Sequence, residues 1–192
     1  MTATKSIKST KGAHIMEFNE LILQRRSVRA YKPGTSISEE TLREIIEGAR
    51  LAPSWKNLET ARSYAAVTPD MISKARSCLA SFNADRTENA GAILVTTFVK
   101  DTAGFTASRP DNEMGNLVGA YDLGLYNSYL MLKARDLGID SLVMGLRDAD
   151  RLRELFGIPE NEQIMMVIAL GYRNEEPALR PRKSADEIAK FF

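Results

Sequence analysis

The 192-residue chain contains one cysteine, Cys78, and one histidine, His14. A single cysteine cannot form an intramolecular disulfide and is typical of a reducing compartment, so we expect a cytoplasmic protein. Because thiols and imidazoles are so scarce, the sequence predicts no metal site and no Cys-His or Ser-His catalytic pair. Chemistry in this chain is therefore expected to belong to a bound cofactor.

Long apolar runs and a strong charge of one sign are also missing. No apolar run approaches the roughly 20 residues that a membrane span requires, and the first residues lack the apolar core of a secretion signal. The formal net charge is +1, which favours neither nucleic acid nor an anionic membrane as a partner. Neither a GxGxxG nor a P-loop lysine motif is present, which argues against the two common nucleotide-binding folds.

Length and composition, with 44% hydrophobic and 27% charged residues, predict a single domain. Residues 1–15 are rich in Lys, Ser and Thr and predict a disordered lead, so the domain is expected over 16–192 with a charged tail from about 173. Periodicity and capping signals predict helices over 16–23, 38–52, 68–80, 116–137 and 148–156, and strands over 63–67, 92–99, 140–144 and 163–170. Residues 82–86 and 100–115 are predicted loops.

The helix predicted over 116–137 is apolar on nearly every side, which indicates burial in a large core or against a partner chain. Before it, an arginine-rich turn follows the first helix and holds Arg25, Arg26, Ser27 and Arg29. Guanidinium groups and a hydroxyl suit the oxygens of a phosphate. The alternative is a solvated basic helix end that complements the helix dipole.

Four other short motifs follow in the chain. They are a Pro-Ser-Trp-Lys-Asn loop with the only tryptophan, Trp55, a Phe-Asn…Arg loop, a Met-Gly turn and a late Arg-Pro-Arg segment. In order and spacing, from about Met16 to Lys183, the set resembles the nitroreductase family of FMN-dependent flavoproteins. The pieces that match best are 25–31, 52–57, the Tyr-Asp-Leu-Gly segment at 121–124 and the Leu-Gly-Ile segment at 137–139.

The resemblance implies an α+β fold, with a central, mostly antiparallel sheet flanked by helices, in an intertwined homodimer. Two FMN molecules would lie at the dimer interface, each contacted by both chains. The apolar helix over 116–137 would then form the core of the dimer.

The resemblance also implies roles for individual residues. Arg25, Arg26 and Ser27 match the segment that binds the phosphate end of FMN, and Arg180 and Arg182 match basic tail residues that close over it. Arg29, Asn83 and Arg86 match positions on the pyrimidine edge of the flavin. Ser54 and Asn57 match the loop that reaches the flavin from the second subunit. The backbone amides of Met144 and Gly145 match the turn that faces flavin N5, and no side chain is assigned as a catalytic acid.

The implied function is ping-pong hydride transfer from NADH or NADPH, through N5 of FMN, to an electron-poor small molecule such as a nitroaromatic, a quinone or an enone. Alternatives are a flavin carrier without turnover, or a dehalogenase or flavin-fragmenting enzyme of the same fold. Two departures concern the substrate pocket. Glu59, Thr60 and Ala61 stand where the family commonly has Gln followed by Trp, and residues 101–115 match nothing specific.

Overall fold

The computed structural model of the chain describes residues 16–192, so the predicted disordered lead over residues 1–15 lies outside the described residues. The described part is organised around a four-stranded sheet in the order β1-β2-β6-β5, with every neighbouring pair antiparallel. Its strands are β1 (Ala61–Ala66), β2 (Ala92–Val99), β5 (Asp140–Met144) and β6 (Glu162–Gly171). A separate two-stranded hairpin is formed by β3 (Phe105–Thr106) and β4 (Arg109–Pro110).

The described helices are α1 (Phe18–Gln24), α2 (Glu39–Ala49), α3 (Pro69–Arg76), α4 (Ser81–Arg86), α5 (Leu117–Asp136), α6 (Ala149–Phe156) and α7 (Ala185–Ile188). The helices α2, α3 and α6 each begin with a side-chain cap. Ser38 Oγ accepts the Thr41 amide at 3.1 Å to begin α2, and Asp148 Oδ1 accepts the Arg151 amide at 3.0 Å to begin α6. Gly157 ends α6 in the left-handed conformation, φ +61°, which glycine adopts without steric cost.

Helices cover both faces of the sheet. Successive residues of the two central strands point to opposite faces, so each strand contributes side chains to both cores. On one face Leu94 and Ile168 pack under α2 and α5. On the other face Ile93, Val95 and Val167 pack under α3 and α6. The continuous apolar run of β2 predicted burial on both faces, and the structure confirms it. This layered arrangement is the predicted α+β fold class.

The segment 82–86 was expected to be a loop, and that prediction was wrong. The helix predicted over 68–80 ends at Arg76, and a second short helix, α4, then begins at Ser81. The physical reason is a tertiary contact, since the Ala80 amide donates to Leu146 O at 3.3 Å and Leu79 pairs with Arg147. Pairing with a segment about 65 residues away therefore ends the predicted helix early, and a separate helix forms in the predicted loop.

The segment 100–115 was expected to be irregular, but it contains the β3–β4 hairpin. Its two turn residues, Ala107 and Ser108, both have positive φ, +47° and +61°. Such turns ordinarily carry Asn or Gly. With Ala and Ser there instead, the sequence held no hairpin signal.

The long helix α5 buries one side and leaves another open. Gly119 is in close contact with the core, because an added Cβ would approach Phe98 Cδ2 to 2.5 Å. On the opposite side Leu117, Tyr121 and Tyr129 are 59%, 68% and 42% exposed, and a Cβ at Gly124 would meet nothing within 4 Å. Even α5, the longest helix in the described part of the chain, is too polar to qualify as a membrane-crossing segment, and none of the shorter ones qualifies either.

Candidate flavin site

The arginine-rich turn is fixed against the edge strand β5. The Val28 amide donates to Ser141 O at 3.1 Å, and Ser27 forms a parallel bridge with Ser141. Val28 and Tyr31 are buried, 0% and 2% exposed, and the Tyr31 hydroxyl donates to Val28 O at 3.2 Å. Two buried anchors therefore hold the backbone, while the polar residues of the turn remain accessible.

The chain returns to this turn directly after β6. The Lys32 amide donates to Tyr172 O at 2.9 Å, and the Asn174 amide donates to Ala30 O at 2.9 Å. Gly171 permits this approach, because a Cβ there would lie 2.5 Å from Tyr31 Cδ1. The C-terminal tail is thereby placed across the arginine-rich turn, although about 145 residues separate the two segments in sequence.

A cavity of about 370 Å³ lies between the turn and the tail, and we call it the arginine cavity. It is lined by all six residues that the sequence assigned to this end of the site or beside it: Arg25, Arg26, Ser27, Arg29, Arg180 and Arg182. Within residues 16–192, none of these five guanidinium groups forms an ion pair with a carboxylate. Arg26 Nη1 donates to Arg25 O at 2.9 Å and Arg29 Nη1 donates to Ser27 O at 3.1 Å. Each guanidinium has five N–H donors, so both groups keep further donors for a phosphate.

The two carboxylates that also line the arginine cavity are engaged elsewhere. Glu175 Oε1 accepts the backbone amide of Arg29 at 2.6 Å, and Glu176 Oε1 accepts from Arg173 Nη1 at 3.0 Å. Burial, followed by the charges of Arg26 and Arg182, lowers the pKa of Arg25. The cavity thus holds five arginines against two carboxylates, neither of which pairs with those arginines, and a bound anion would relieve this excess of positive charge.

The predicted N5 turn lies farther along the same edge strand. Met144 ends β5 three residues beyond Ser141, which is roughly 10 Å at 3.3 Å per residue. Met144 is buried, whereas Gly145 is exposed, and a Cβ on Gly145 would meet only Met166 Sδ, at 3.7 Å. The backbone at Gly145 is therefore open to a ligand.

The two polar residues predicted for the pyrimidine edge lie on α4, and one of them contacts this turn. Asn83 is 5% exposed and its Nδ2 donates to Leu146 O at 3.4 Å. Arg86 is exposed, and its guanidinium lies 5.1 Å from the centre of the Phe82 ring. Asn83 is thus placed to orient the turn that begins at Gly145, and Arg86 points away from the core.

The Ser54 and Asn57 loop lies at the opposite edge of the sheet. It precedes β1, the edge strand three inter-strand spacings from β5, or roughly 14 Å at 4.8 Å per spacing. Ser54 Oγ accepts the Glu59 amide at 3.0 Å, and Asn57 Nδ2 donates to Glu59 Oε1 at 3.2 Å. A single chain therefore does not bring this loop to the arginine cavity.

This loop is strained and held by a buried carboxylate. Lys56, Asn57 and Glu59 all have positive φ, between +48° and +55°, which is unfavourable for residues other than glycine. Asp122, which is 5% exposed on α5, accepts the Trp55 amide at 2.8 Å. The aspartate thus fixes the beginning of the strained segment.

The β3–β4 hairpin is tethered to the same loop. Lys56 Nζ contacts Thr106 Oγ1 at 3.2 Å and Asp111 Oδ2 at 3.3 Å. The Lys56 ammonium also lies 5.6 Å from the centre of the Trp55 ring. The segment that matched nothing specific in sequence is therefore a hairpin docked on the predicted flavin-contacting loop.

Sequence reasoning missed a buried ionic network behind the arginine cavity. Asp140, 2% exposed at the start of β5, accepts from Arg173 Nε at 2.8 Å and Nη2 at 2.7 Å, and from Arg135 Nη1 at 3.2 Å. Arg135 Nη2 also donates to Gln24 Oε1 at 2.9 Å, and Arg173 Nη2 donates to Gln24 O at 3.3 Å. These partners are as many as 149 residues apart, so no local pattern indicates them.

Comparisons with known proteins identify the family of this chain. The sequence profile described as the nitroreductase family matches residues 22–172. The NADPH-flavin oxidoreductase of Vibrio harveyi is 32% identical over 177 residues, covering 88% of this chain and 71% of that protein. The CLA biosynthesis enone reductase of Lactiplantibacillus plantarum is 24% identical over 201 residues, covering 90% and 93%.

A solved structure confirms the fold. A protein from Exiguobacterium sibiricum, crystallised in complex with FMN, superimposes with a TM-score of 0.81 at 23% identity, covering 92% of this chain and 98% of that one. The antiparallel sheet between two helical layers is therefore the fold of that FMN-bound protein. The family profile spans most of the described residues, and the chain belongs to the nitroreductase family.

Proposed function

We propose that this protein is an FMN-dependent oxidoreductase that passes hydride from NADH or NADPH to an electron-poor small molecule. Family membership confirms the predicted enzyme class and the predicted cofactors. The acceptor, the ping-pong order of the reaction and the residue roles are the parts that we propose. The observation that carries the proposed flavin site is the arginine cavity, whose five guanidinium groups have no carboxylate partner among residues 16–192.

The cavity suits the phosphate of FMN chemically. Arginine forms charge-assisted, often bidentate hydrogen bonds to phosphate oxygens. Arg25 and Arg26 come from the turn after α1, and Arg180 and Arg182 come from the tail, so an anion between them is approached from two sides. Ser27, at the bridge to β5, adds a hydroxyl donor.

Bound FMN supplies the hydride acceptor and donor of the reaction. The chain supplies fixed donors along one sheet edge. The arginines lie at the end beside Ser141, and the backbone of Gly145 lies four residues farther along, roughly 13 Å at 3.3 Å per residue. Arg29 follows Ser27 on the same turn and lines the arginine cavity. Its match to the family supports a position beside the pyrimidine edge of the flavin. A fixed cation there stabilises negative charge that develops on the reduced isoalloxazine ring.

A homodimer completes the proposed site. Ser54 and Asn57 lie at the far sheet edge, so they reach the flavin of a second copy rather than their own. The exposed stripe on α5, formed by Leu117, Tyr121 and Tyr129, offers an apolar surface for that copy. Stable dimers of this kind bury upwards of about 2,000 Å². A stable, flavin-loaded monomer in sedimentation at micromolar concentration would contradict this arrangement.

The acceptor class is proposed from the relatives, which include a flavin oxidoreductase and an enone reductase. A nitroaromatic, a quinone or an enone would each accept hydride at a flavin. Cytoplasmic location stays a prediction from cysteine content.

One anaerobic experiment tests the proposed turnover. The purified protein is saturated with FMN, mixed with NADH or NADPH, and then supplied with a nitroaromatic, a quinone or an enone. We expect bleaching of the flavin absorbance within seconds and its return on addition of at least one acceptor. Persistent yellow colour with both nicotinamides would favour the flavin-carrier alternative. Bleaching without reoxidation by any of the three classes would contradict the proposed acceptors.

A further inference from the structure

Two chain segments that are far apart in sequence form the walls of the arginine cavity. One wall carries the arginines of the turn and directly follows Gln24, and the other runs from Glu175 into the tail and carries the arginines there. Opposed arginines repel each other, so something must hold both walls in place before a phosphate arrives. The ionic network around Asp140 contacts the beginning of each wall.

We propose that Asp140 is a positioning residue for the phosphate end of the flavin site, acting through Arg135 and Arg173. This inference rests on the proposed function and extends it. Asp140 does not line the arginine cavity. Its carboxylate instead fixes two guanidinium groups that reach the cavity walls.

Arg173 spans both walls. Its Nε and Nη2 donate to the two carboxylate oxygens of Asp140, at 2.8 and 2.7 Å. Its Nη2 also donates to Gln24 O at 3.3 Å, and its Nη1 donates to Glu176 Oε1 at 3.0 Å. A planar fork that is held at its base by a carboxylate thus ties the residue before Arg25 to the start of the tail.

Arg135 reinforces the first wall. It projects from the last turn of α5, donates to Asp140 Oδ1 at 3.2 Å and to Gln24 Oε1 at 2.9 Å. The side chain of Asp140 is only 1% exposed, and those of Arg135 and Arg173 are 16% and 21% exposed. Screening by solvent is weak at this depth, so the orientation of the two guanidinium groups depends on the carboxylate.

The negative charge of Asp140 and its proposed positioning role predict opposite changes in phosphate affinity when Asp140 is replaced. Asp140→Asn removes one negative charge behind an anion site, so electrostatics alone would tighten phosphate binding. If Asp140 positions the walls, the same substitution releases Arg135 and Arg173 and weakens phosphate binding. The direction of the change therefore separates the two roles.

The test compares FMN with riboflavin, which lacks the phosphate. Apo-protein is titrated with each flavin, and the ratio of the two dissociation constants measures what the phosphate contributes. For Asp140→Asn we expect this preference for FMN to fall by about tenfold, with riboflavin affinity unchanged. General destabilisation would weaken both flavins together and leave the ratio intact.

Glu162→Gln is the matched control. Glu162 is also a buried carboxylate, 6% exposed, but it lies at the other end of β6 and accepts from Tyr64 and Thr97 hydroxyls. This substitution changes the charge by the same amount without touching either wall. Its FMN preference should equal that of the unmodified protein.

A second variant decides the question if Asp140→Asn does not fold. Arg173→Lys keeps the charge and can keep one contact to Asp140, but an ammonium cannot span Gln24 and Glu176 as the guanidinium fork does. We expect a smaller but clear fall in FMN preference.

The outcomes separate this inference from the function on which it rests. If the unmodified protein binds riboflavin as tightly as FMN, the proposed phosphate site itself is wrong. If the unmodified protein prefers FMN and both variants keep or increase that preference, Asp140 is not a positioning residue.

Discussion

Replacing Arg25 by glutamine should weaken FMN binding without destabilising the protein. Arg25 is half-buried, and its pKa is lowered by burial and by the charges of Arg26 and Arg182. It has no carboxylate partner among residues 16–192, so its removal leaves no acid unpaired. The apo-protein should therefore unfold at an unchanged or higher temperature.

The effect of Arg25→Gln should appear only in the free energy of FMN binding. One charge-assisted contact to phosphate contributes about 1.5–3 kcal/mol, and partial exposure reduces it to roughly 1–2 kcal/mol. The FMN dissociation constant should consequently rise by about 5- to 30-fold. Because the contribution is electrostatic, the difference between Arg25→Gln and the unmodified protein should narrow at high salt.

Arg153→Gln is the matched control, for which we expect a change in protein stability and none in FMN affinity. Arg153 is also half-buried, but it donates to the carbonyl groups of Ile158, Pro159 and Glu162. Its removal should lower the unfolding temperature and leave FMN affinity unchanged. Calorimetric unfolding and FMN titration of both variants give four results. Loss of apo-protein stability in Arg25→Gln with unaltered FMN affinity would refute an anion-binding role for Arg25.

Three further predictions concern separate parts of the site. Arg29→Ala should lower the two-electron midpoint potential of bound FMN by tens of millivolts, because a lost charge-assisted contact of about 1.4 kcal/mol corresponds to about 30 mV. An unchanged potential would place Arg29 away from the reduced ring. Truncation after Ala178 should weaken FMN on the order of 30-fold while sparing unfolding cooperativity, and equal affinities would contradict a role for the tail. Burial raises the pKa of Asp122, and the hydrogen bond from the Trp55 amide opposes that shift. The contribution of Asp122 to folding stability is therefore present below pH about 4, and it is lost as pH rises through the folded-state pKa. Asp122→Asn should thus gain stability relative to the parent as pH rises, which denaturant titrations across pH 4–7 would measure.

Strands and capped helices could be predicted closely because their signals are local. The run 92–99 and the run 140–144 coincide with β2 and β5, and the caps at Asp148 and Gly157 define α6. Such signals depend on residues within a few positions of each other. The break between α3 and α4 could not be read in this way, because it depends on the Ala80 amide meeting Leu146 O.

The candidate site was predictable only in part, for the same reason. The arginines of the turn and of the tail were assigned through family resemblance, and the structure brings them to one cavity. The carboxylates that control them were not assigned. Asp140 pairs with Arg173 across 33 residues, and Glu175 accepts the Arg29 amide across 146. Folding alone creates those contacts.

The chain as a whole is nearly neutral, yet its candidate site is strongly cationic. The placement of the acidic residues explains how both can be true. The chain carries 26 basic and 25 acidic residues, so a local excess of positive charge requires that nearby carboxylates be engaged elsewhere. Around the arginine cavity, Glu176 is paired with Arg173, Asp140 with Arg135 and Arg173, and Glu175 with a backbone amide. Each acid therefore shapes the wall of the cavity instead of neutralising the arginines that face into it. Because these acids are bonded to other groups, the arginines combine a fixed position with the unpaired charge that tight phosphate binding needs.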